Sequence, residues 1–157
     1  MNILFHREVL KQLRDVIEQA WNEETAHPGK GGDKGRPEGQ CYVTSRLLAD
    51  VYKIGRVVIG SVGKFKNHCW LEMEIDDIKF FLDMTADQAG IGQEPIVWGM
   101  YEPHPKYIDN PKYRVYPDYK PKREVEDEDA KRFFAAFDRY LLLKKRVAAI
   151  VAQSGAI

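Results

Sequence analysis

Three side chains have the types and order that acyl-transfer chemistry needs: Cys41 in "GRPEGQCYVTSRLLADVY", His68 in "HCWLEMEI" and Asp83 in "IKFFLDMT". Cys41 stands where a glycine-rich loop meets an amphipathic helix pattern, so its thiol faces the unpaired N–H groups and the positive end of the helix dipole, which favour the thiolate. The same end could hold an oxyanion, with the Cys41 amide and Gln40 as donors. His68 would serve as general base and Asp83 as the carboxylate that fixes its tautomer. Each residue also has a plainer role. Free cysteine is among the most buried residue types, a strand histidine is often only hydrogen-bonded, and Asp83 could cap the following "TADQAG" turn. What favours chemistry is that His68 and Asp83 fall on one sheet face in a register derived without reference to catalysis.

That register comes from the elements. Val9, Leu10, Leu13, Val16, Ile17, Ala20 and Trp21 repeat with helical period, predicting a first helix from Asn2 to about Glu24. Residues 27–39, rich in Gly, Pro and Lys, predict a mobile surface loop. Val43, Leu47, Leu48, Val51 and Tyr52 predict a second helix from Cys41 that stops before Gly55. Residues 56–63, 68–75 and 78–85 are strand candidates, rich in β-branched and aromatic residues.

Only Asp76 and Asp77 separate the last two strands, so a tight turn pairs Ile75 with Ile78, Glu74 with Lys79 and Trp70 with Asp83. One face then carries Cys69, Leu71, Met73, Ile75, Ile78, Phe80, Leu82 and Met84, an apolar set that reads as core. The other carries His68, Trp70, Glu72, Glu74, Lys79, Phe81, Asp83 and Thr85, with His68 diagonal to Asp83. Residues 91–122 predict a long ordered loop, with a short strand around Tyr113 to Tyr116. Residues 125–153 predict a long helix whose stripe of Phe133, Phe134, Phe137, Leu141, Leu142, Val147 and Ile150 reads as core.

The 157 residues suit a single domain spanning 1–157. With 24 basic and 24 acidic side chains, no bulk field favours nucleic acid or an anionic membrane, so neither is expected as a partner. No apolar run is long enough to span a bilayer and the first residues lack a signal-peptide core, so a cytoplasmic protein is expected. Two cysteines, Cys41 and Cys69, could pair only once, and a reducing compartment argues against the disulfide. No metal or other cofactor is expected. His68 and Cys69, as strand neighbours, point to opposite faces and should not share one ion, and "GKGG" at 29–32 lacks the context of a phosphate-binding loop.

"GQCYV", followed by "HCWLEME" and "FFLDMT", resembles the nucleophile, histidine and aspartate segments of the transglutaminase-like branch of the papain-like cysteine enzymes. More closely, "AWNEETA", "GQCYVTSRLLADVY" and "LDMTADQAG" are similar to the YunG-like family of small bacterial proteins, over about Trp21 to Gly90. The resemblance implies an α+β, papain-like (transglutaminase-like) core, with N-terminal helices packed on a small antiparallel sheet and a long C-terminal helix. It also implies Cys41 as nucleophile, His68 as base and Asp83 as orienting residue. Tyr42 departs from the tryptophan of transglutaminases, and the interval from Cys41 to His68 is shorter than in the large enzymes.

The expected function is thiol-dependent acyl transfer on an amide or peptide bond of a protein or peptide substrate, as a peptidase, deamidase or transglutaminase. A non-catalytic binding module on the same fold is the alternative. Gln40, Trp70 and Trp98 are the expected oxyanion and substrate residues, and Trp98, Tyr101, Tyr107 and Tyr113 could form a substrate wall.

Overall fold

The computed structural model describes residues 6–62, 65–89, 97–100, 107–109 and 128–155. Tyr101 and the strand expected around Tyr113 to Tyr116 lie outside them. The order is α1 (Arg7–Glu18), α2 (Cys41–Asp50), β1 (Arg56–Val62), β2 (Phe65–Ile75), β3 (Ile78–Asp83), a short 3₁₀ helix (Ala86–Ala89), β4 (Val97–Met100), β5 (Tyr107–Asp109) and α3 (Glu128–Ser154). The class is α+β. Three long antiparallel strands form the centre of a sheet ordered β4-β3-β2-β1-β5. The short β4 and β5 fall inside the stretch that sequence reads as a loop, where prolines hide any period-two pattern.

The β2–β3 hairpin has the expected register: Ile75 opposes Ile78, Glu74 opposes Lys79 and Leu71 opposes Leu82. Its two turn residues both adopt positive φ, 51° at Asp76 and 63° at Asp77, the geometry whose twist matches the flanking strands. Leu71, Leu82 and Met84 pack against Leu10, Leu13, Ile17 and Trp21 from α1 and its C-terminal extension, Val43, Leu47 and Leu48 of α2, and Tyr140, Leu143 and Val147 of α3. Burying this set is the main stabilising contribution, about 1.5–3 kcal/mol for each large apolar side chain.

Several boundaries differ from expectation. α1 closes at Glu18, and residues 19–26 run on as turns that still bury Ala20 and Trp21. β2 begins at Phe65 and β3 ends at Asp83. Val51 is 43% exposed, and α3 buries Tyr140, Leu143 and Val147 while leaving Leu141 41% exposed. The expected α3 stripe holds at Phe137, Val147 and Ile150, but Leu143 is buried in place of Leu141, because a run of three leucines fits more than one helical face. The second sheet face is not uniformly polar either. Trp70 and Phe81 join Val58 and Val62 in a small buried cluster, while Glu74 and Lys79 at the hairpin end are exposed.

The glycine-rich loop is tied down at several points. Gly35 N–H donates to Trp21 O at 3.1 Å and His27 N–H to Gly39 O at 2.8 Å. Gly39 has φ +77°, and a Cβ there would lie 2.9 Å from His27 N, so this position needs glycine.

Candidate active site

Cys41 is the first residue of α2, with Gln40 as its N-cap, so the thiol sits beside amides that have no partner within the helix. The approach to it is braced from below. Gln40 is fully buried; its backbone N–H donates to Pro37 O at 3.0 Å and its side-chain Nε2 to Asn22 O at 3.0 Å. Gln40 Oε1 is buried and has no hydrogen-bond partner among the described residues. Of the donors expected at Gln40, the backbone N–H is thus committed and one side-chain hydrogen remains. The Gln88 amide spans the loop as well, donating to Pro37 O and accepting from Gly39 N–H, both at 3.1 Å.

His68 and Asp83 meet as the register predicts. His68 Nε2–H donates to Asp83 Oδ2 at 2.6 Å, and the two residues are each 2% exposed. The other carboxylate oxygen, Oδ1, accepts from Thr85 N–H at 2.8 Å and from Thr85 Oγ1–H at 3.0 Å. The two readings of Asp83, turn cap and histidine partner, are therefore both correct, one for each oxygen. Three bonds on one carboxylate leave it little freedom to rotate, so it holds the ring in one orientation. Trp70 is 1% exposed and lies with its ring centroid 6.5 Å from that of His68, at 23° between planes. It packs with Val58, Val62 and Phe81 beside the imidazole and does not face solvent.

The imidazole of His68 and the thiol of Cys69 are the groups that act on the Cys41 thiol and lower its pKa. With Nε2 held by Asp83, Nδ1 is the ring nitrogen left for the thiol. The strand is irregular just before His68. Asn67 takes a left-handed conformation, φ 62°, just before His68, and the β1–β2 register shifts between Gly60 and Val62. Such an irregularity twists the strand and re-aims its side chains. Cys69, the strand neighbour of His68, is buried in the core as expected, at 3% exposed, though outside the two apolar clusters. Among the described residues, no three of His, Cys, Asp and Glu are grouped to hold a metal ion.

These contacts set the charges. The Cys69 thiol donating to Cys41, opposed by burial and reinforced by the bond and charge of His68, holds the Cys41 pKa well below the ordinary thiol range. Burial disfavours a charged His68, but the hydrogen bonds to Asp83 and Cys41 outweigh it and raise the imidazole to about 10. Cys69 is pushed well up by the same hydrogen bond and by burial. These directions favour a thiolate at Cys41 beside a charged imidazole.

The family model described as YunG protein matches residues 9–152. The chain belongs to the YunG family. The match extends past Trp21 to Gly90 and takes in the Tyr/Pro-rich stretch and α3 of this YunG chain. No curated protein and no solved structure matches it.

Two further residues of the YunG chain position the site, and sequence reasoning passed over both. Arg14, 4% exposed, crosses from α1 to the turn after β3, where it binds the Asp87 carboxylate through both terminal nitrogens at 3.2 and 3.1 Å and donates to Met84 O. Its guanidinium also lies over the Trp21 ring, 4.3 Å from the centroid. A charged residue inside the apolar stripe Leu10, Leu13, Ile17 was the legible signal. Thr85, two residues after Asp83, could have been found as a side chain able to bond that carboxylate. Trp98 opposes Leu82 and Tyr107 opposes Val62 in the backbone register. The side chains of both, and Tyr101 and Tyr113 entirely, lie outside the described residues. No described helix is long and apolar enough to cross a membrane.

Proposed function

We propose that this protein is a thiol-dependent acyl-transfer enzyme acting on an amide or peptide bond, with a papain-like (transglutaminase-like) core and a cytoplasmic setting. The observation that carries the reading is the buried His68–Asp83 pair, in which Thr85 anchors Asp83 and the His68 imidazole acts on the thiol at the start of α2. A structural histidine has no need of a carboxylate fixed by a third residue beside a thiol of lowered pKa.

In this reading the Cys41 thiolate attacks the substrate carbonyl carbon, and the carbonyl electron pair moves to oxygen. The Cys41 N–H and the remaining hydrogen of Gln40 Nε2 steady the oxyanion. Collapse expels the amine, which takes its proton from the His68 imidazolium and leaves a thioester on Cys41. Water or an amine then attacks the thioester while His68 accepts its proton, giving hydrolysis or transamidation. Asp83 keeps the ring oriented and its charge stabilised throughout. The partner is a protein or peptide carrying a backbone or side-chain amide.

The test is alkylation by iodoacetamide from pH 4 to 9, with the modified cysteine located by mass spectrometry, followed by incubation with glutaminyl and peptide-amide substrates to trap an acyl adduct. Fast reaction at Cys41 well below about pH 8.5, lost in His68→Ala, together with an adduct absent from Cys41→Ser, supports the proposal. A Cys41 that reacts only on unfolding refutes it. The near-complete burial of His68 favours one second reading, a binding module that does not turn over. Such a module would keep its ligand affinity in Cys41→Ser, whereas an enzyme would lose turnover with its melting temperature nearly unchanged.

A further inference from the structure

We infer that Gln88 is a positioning residue for Cys41, holding the loop that presents the thiol in register with the turn that carries Asp83. The inference deepens the acyl-transfer reading and rests on it. The Gln88 amide spans the gap between the two segments: its nitrogen donates to Pro37 O and its oxygen accepts from Gly39 N–H, both at 3.1 Å. Pro37 O also accepts from Gln40 N–H at 3.0 Å, and Gln40 is the N-cap of the helix that begins with Cys41. On the other side, Gln88 N–H donates to Thr85 O at 3.0 Å, and Thr85 binds Asp83 Oδ1 through its N–H at 2.8 Å and its hydroxyl at 3.0 Å. Hydrogen bonds therefore run without a break from the carboxylate that orients His68 to the residue before the thiol.

The other bonds named for this loop run elsewhere. Gly35 N–H reaches Trp21 O, His27 N–H reaches Gly39 O and Gln40 Nε2 reaches Asn22 O, all on the segment that follows α1. Those bonds seat the loop on that segment, whereas the Gln88 amide ties it to the turn after the strand that bears Asp83. The 3₁₀ helix carrying Gln88 is itself fixed, since Arg14 holds the neighbouring Asp87 carboxylate at 3.2 and 3.1 Å. The chemistry of the two ends also calls for this side chain. Pro37 O can only accept and Gly39 N–H can only donate, and a primary amide supplies one group of each kind at a fixed spacing. Pro37, Gly39 and Gln40 are buried, so a lost bond leaves polar groups that water does not readily satisfy. With the amide removed the Gly39–Gln40 segment can shift, and Cys41 moves with its cap. A charge-assisted interaction between thiolate and imidazole depends on distance and direction, so a small displacement weakens it.

The experiment measures the pH profile of Cys41 alkylation by iodoacetamide, with melting temperatures, in the full wild-type chain, Gln88→Leu, Gln88→Glu, His68→Ala and Val147→Ala. Leucine keeps the volume and removes both bonds, while glutamate keeps an acceptor for Gly39 N–H but turns its second oxygen on Pro37 O. For Gln88→Leu the midpoint should rise by about half to one pH unit, slowing alkylation below it by about 3- to 10-fold, with a smaller shift for Gln88→Glu. Val147→Ala empties a buried core position whose side chain has no hydrogen bond to lose, so it should lower the melting temperature with the profile unmoved. The inference is overturned by a Gln88→Leu profile that superimposes on wild type, or by an equal shift in Val147→Ala, which would make lost stability the cause. Should Gln88→Leu fail to fold, Gln88→Glu decides by the same outcomes. A profile that His68→Ala leaves unmoved sinks the acyl-transfer reading and this inference with it. One that His68→Ala moves and Gln88→Leu does not sinks this inference alone.

Discussion

Replacing Asp83 with Asn changes one atom and the charge at the centre of the polar chain, and the outcome can be worked from the geometry. The carboxylate accepts from His68 at 2.6 Å through one oxygen and from Thr85 at 2.8 and 3.0 Å through the other. An asparagine can satisfy Thr85 with its oxygen, but its NH2 then meets the His68 Nε2–H, donor against donor; flipping the amide moves the conflict to Thr85. A hydrogen bond to a charged group contributes about 1.5–3 kcal/mol, and about 1.4 kcal/mol corresponds to one pKa unit, so His68 should fall by roughly 1–2 units from its value near 10. The effect on Cys41 comes through orientation, since His68 would still be charged at low pH: with donor against donor the ring is no longer held toward the thiol, the thiolate is stabilised less, and the thiol pKa rises. Alkylation of Cys41 at pH values below its midpoint should slow by about 10- to 100-fold. The melting temperature should fall by about 4–10 °C, as expected for this stability loss in a domain of this size. Alkylation profiles that superimpose on wild type, with the melting temperature lowered, would refute the reasoning and leave Asp83 as a turn cap alone.

Arg14→Met should destabilise by about 3–5 kcal/mol, because it leaves Met84 O and Asp87 without their buried cation; a urea titration followed by circular dichroism measures it. The same variant should also slow Cys41 alkylation if the turn after β3 holds Asp83 in place, a readout that simple loss of packing would not produce in the folded protein. Asp77→Gly should stabilise by about 0.5–1 kcal/mol, since Asp77 sits at φ 63° where glycine carries no steric penalty, and an unchanged or lowered urea midpoint would contradict that account.

Much of the site was legible because short-range rules governed it. A two-residue turn between apolar strands fixes the pairing of every residue along β2 and β3, so the meeting of His68 and Asp83 follows from counting. The start of α2 at Cys41 follows from the glycine-rich approach and the apolar spacing behind it. The family match reaches beyond the segments that carry these motifs. Other features were illegible for physical reasons. β4 and β5 are too short to show a period, α3 offered competing faces, and nothing local foretold that the loop before Cys41 would be bonded to Trp21 and His27.

By itself the sequence determined the helix that begins at Cys41, the α+β class, and a register placing His68 beside Asp83. Each depends on backbone geometry and side-chain periodicity within a few residues. Tertiary structure alone decided that Trp70 is buried beside His68 and that Arg14 and Gln88 brace the turn and loop on either side of the site. The braces join residues far apart in the chain. They depend on how the helices and the loop before Cys41 seat on the sheet, which no local periodicity records.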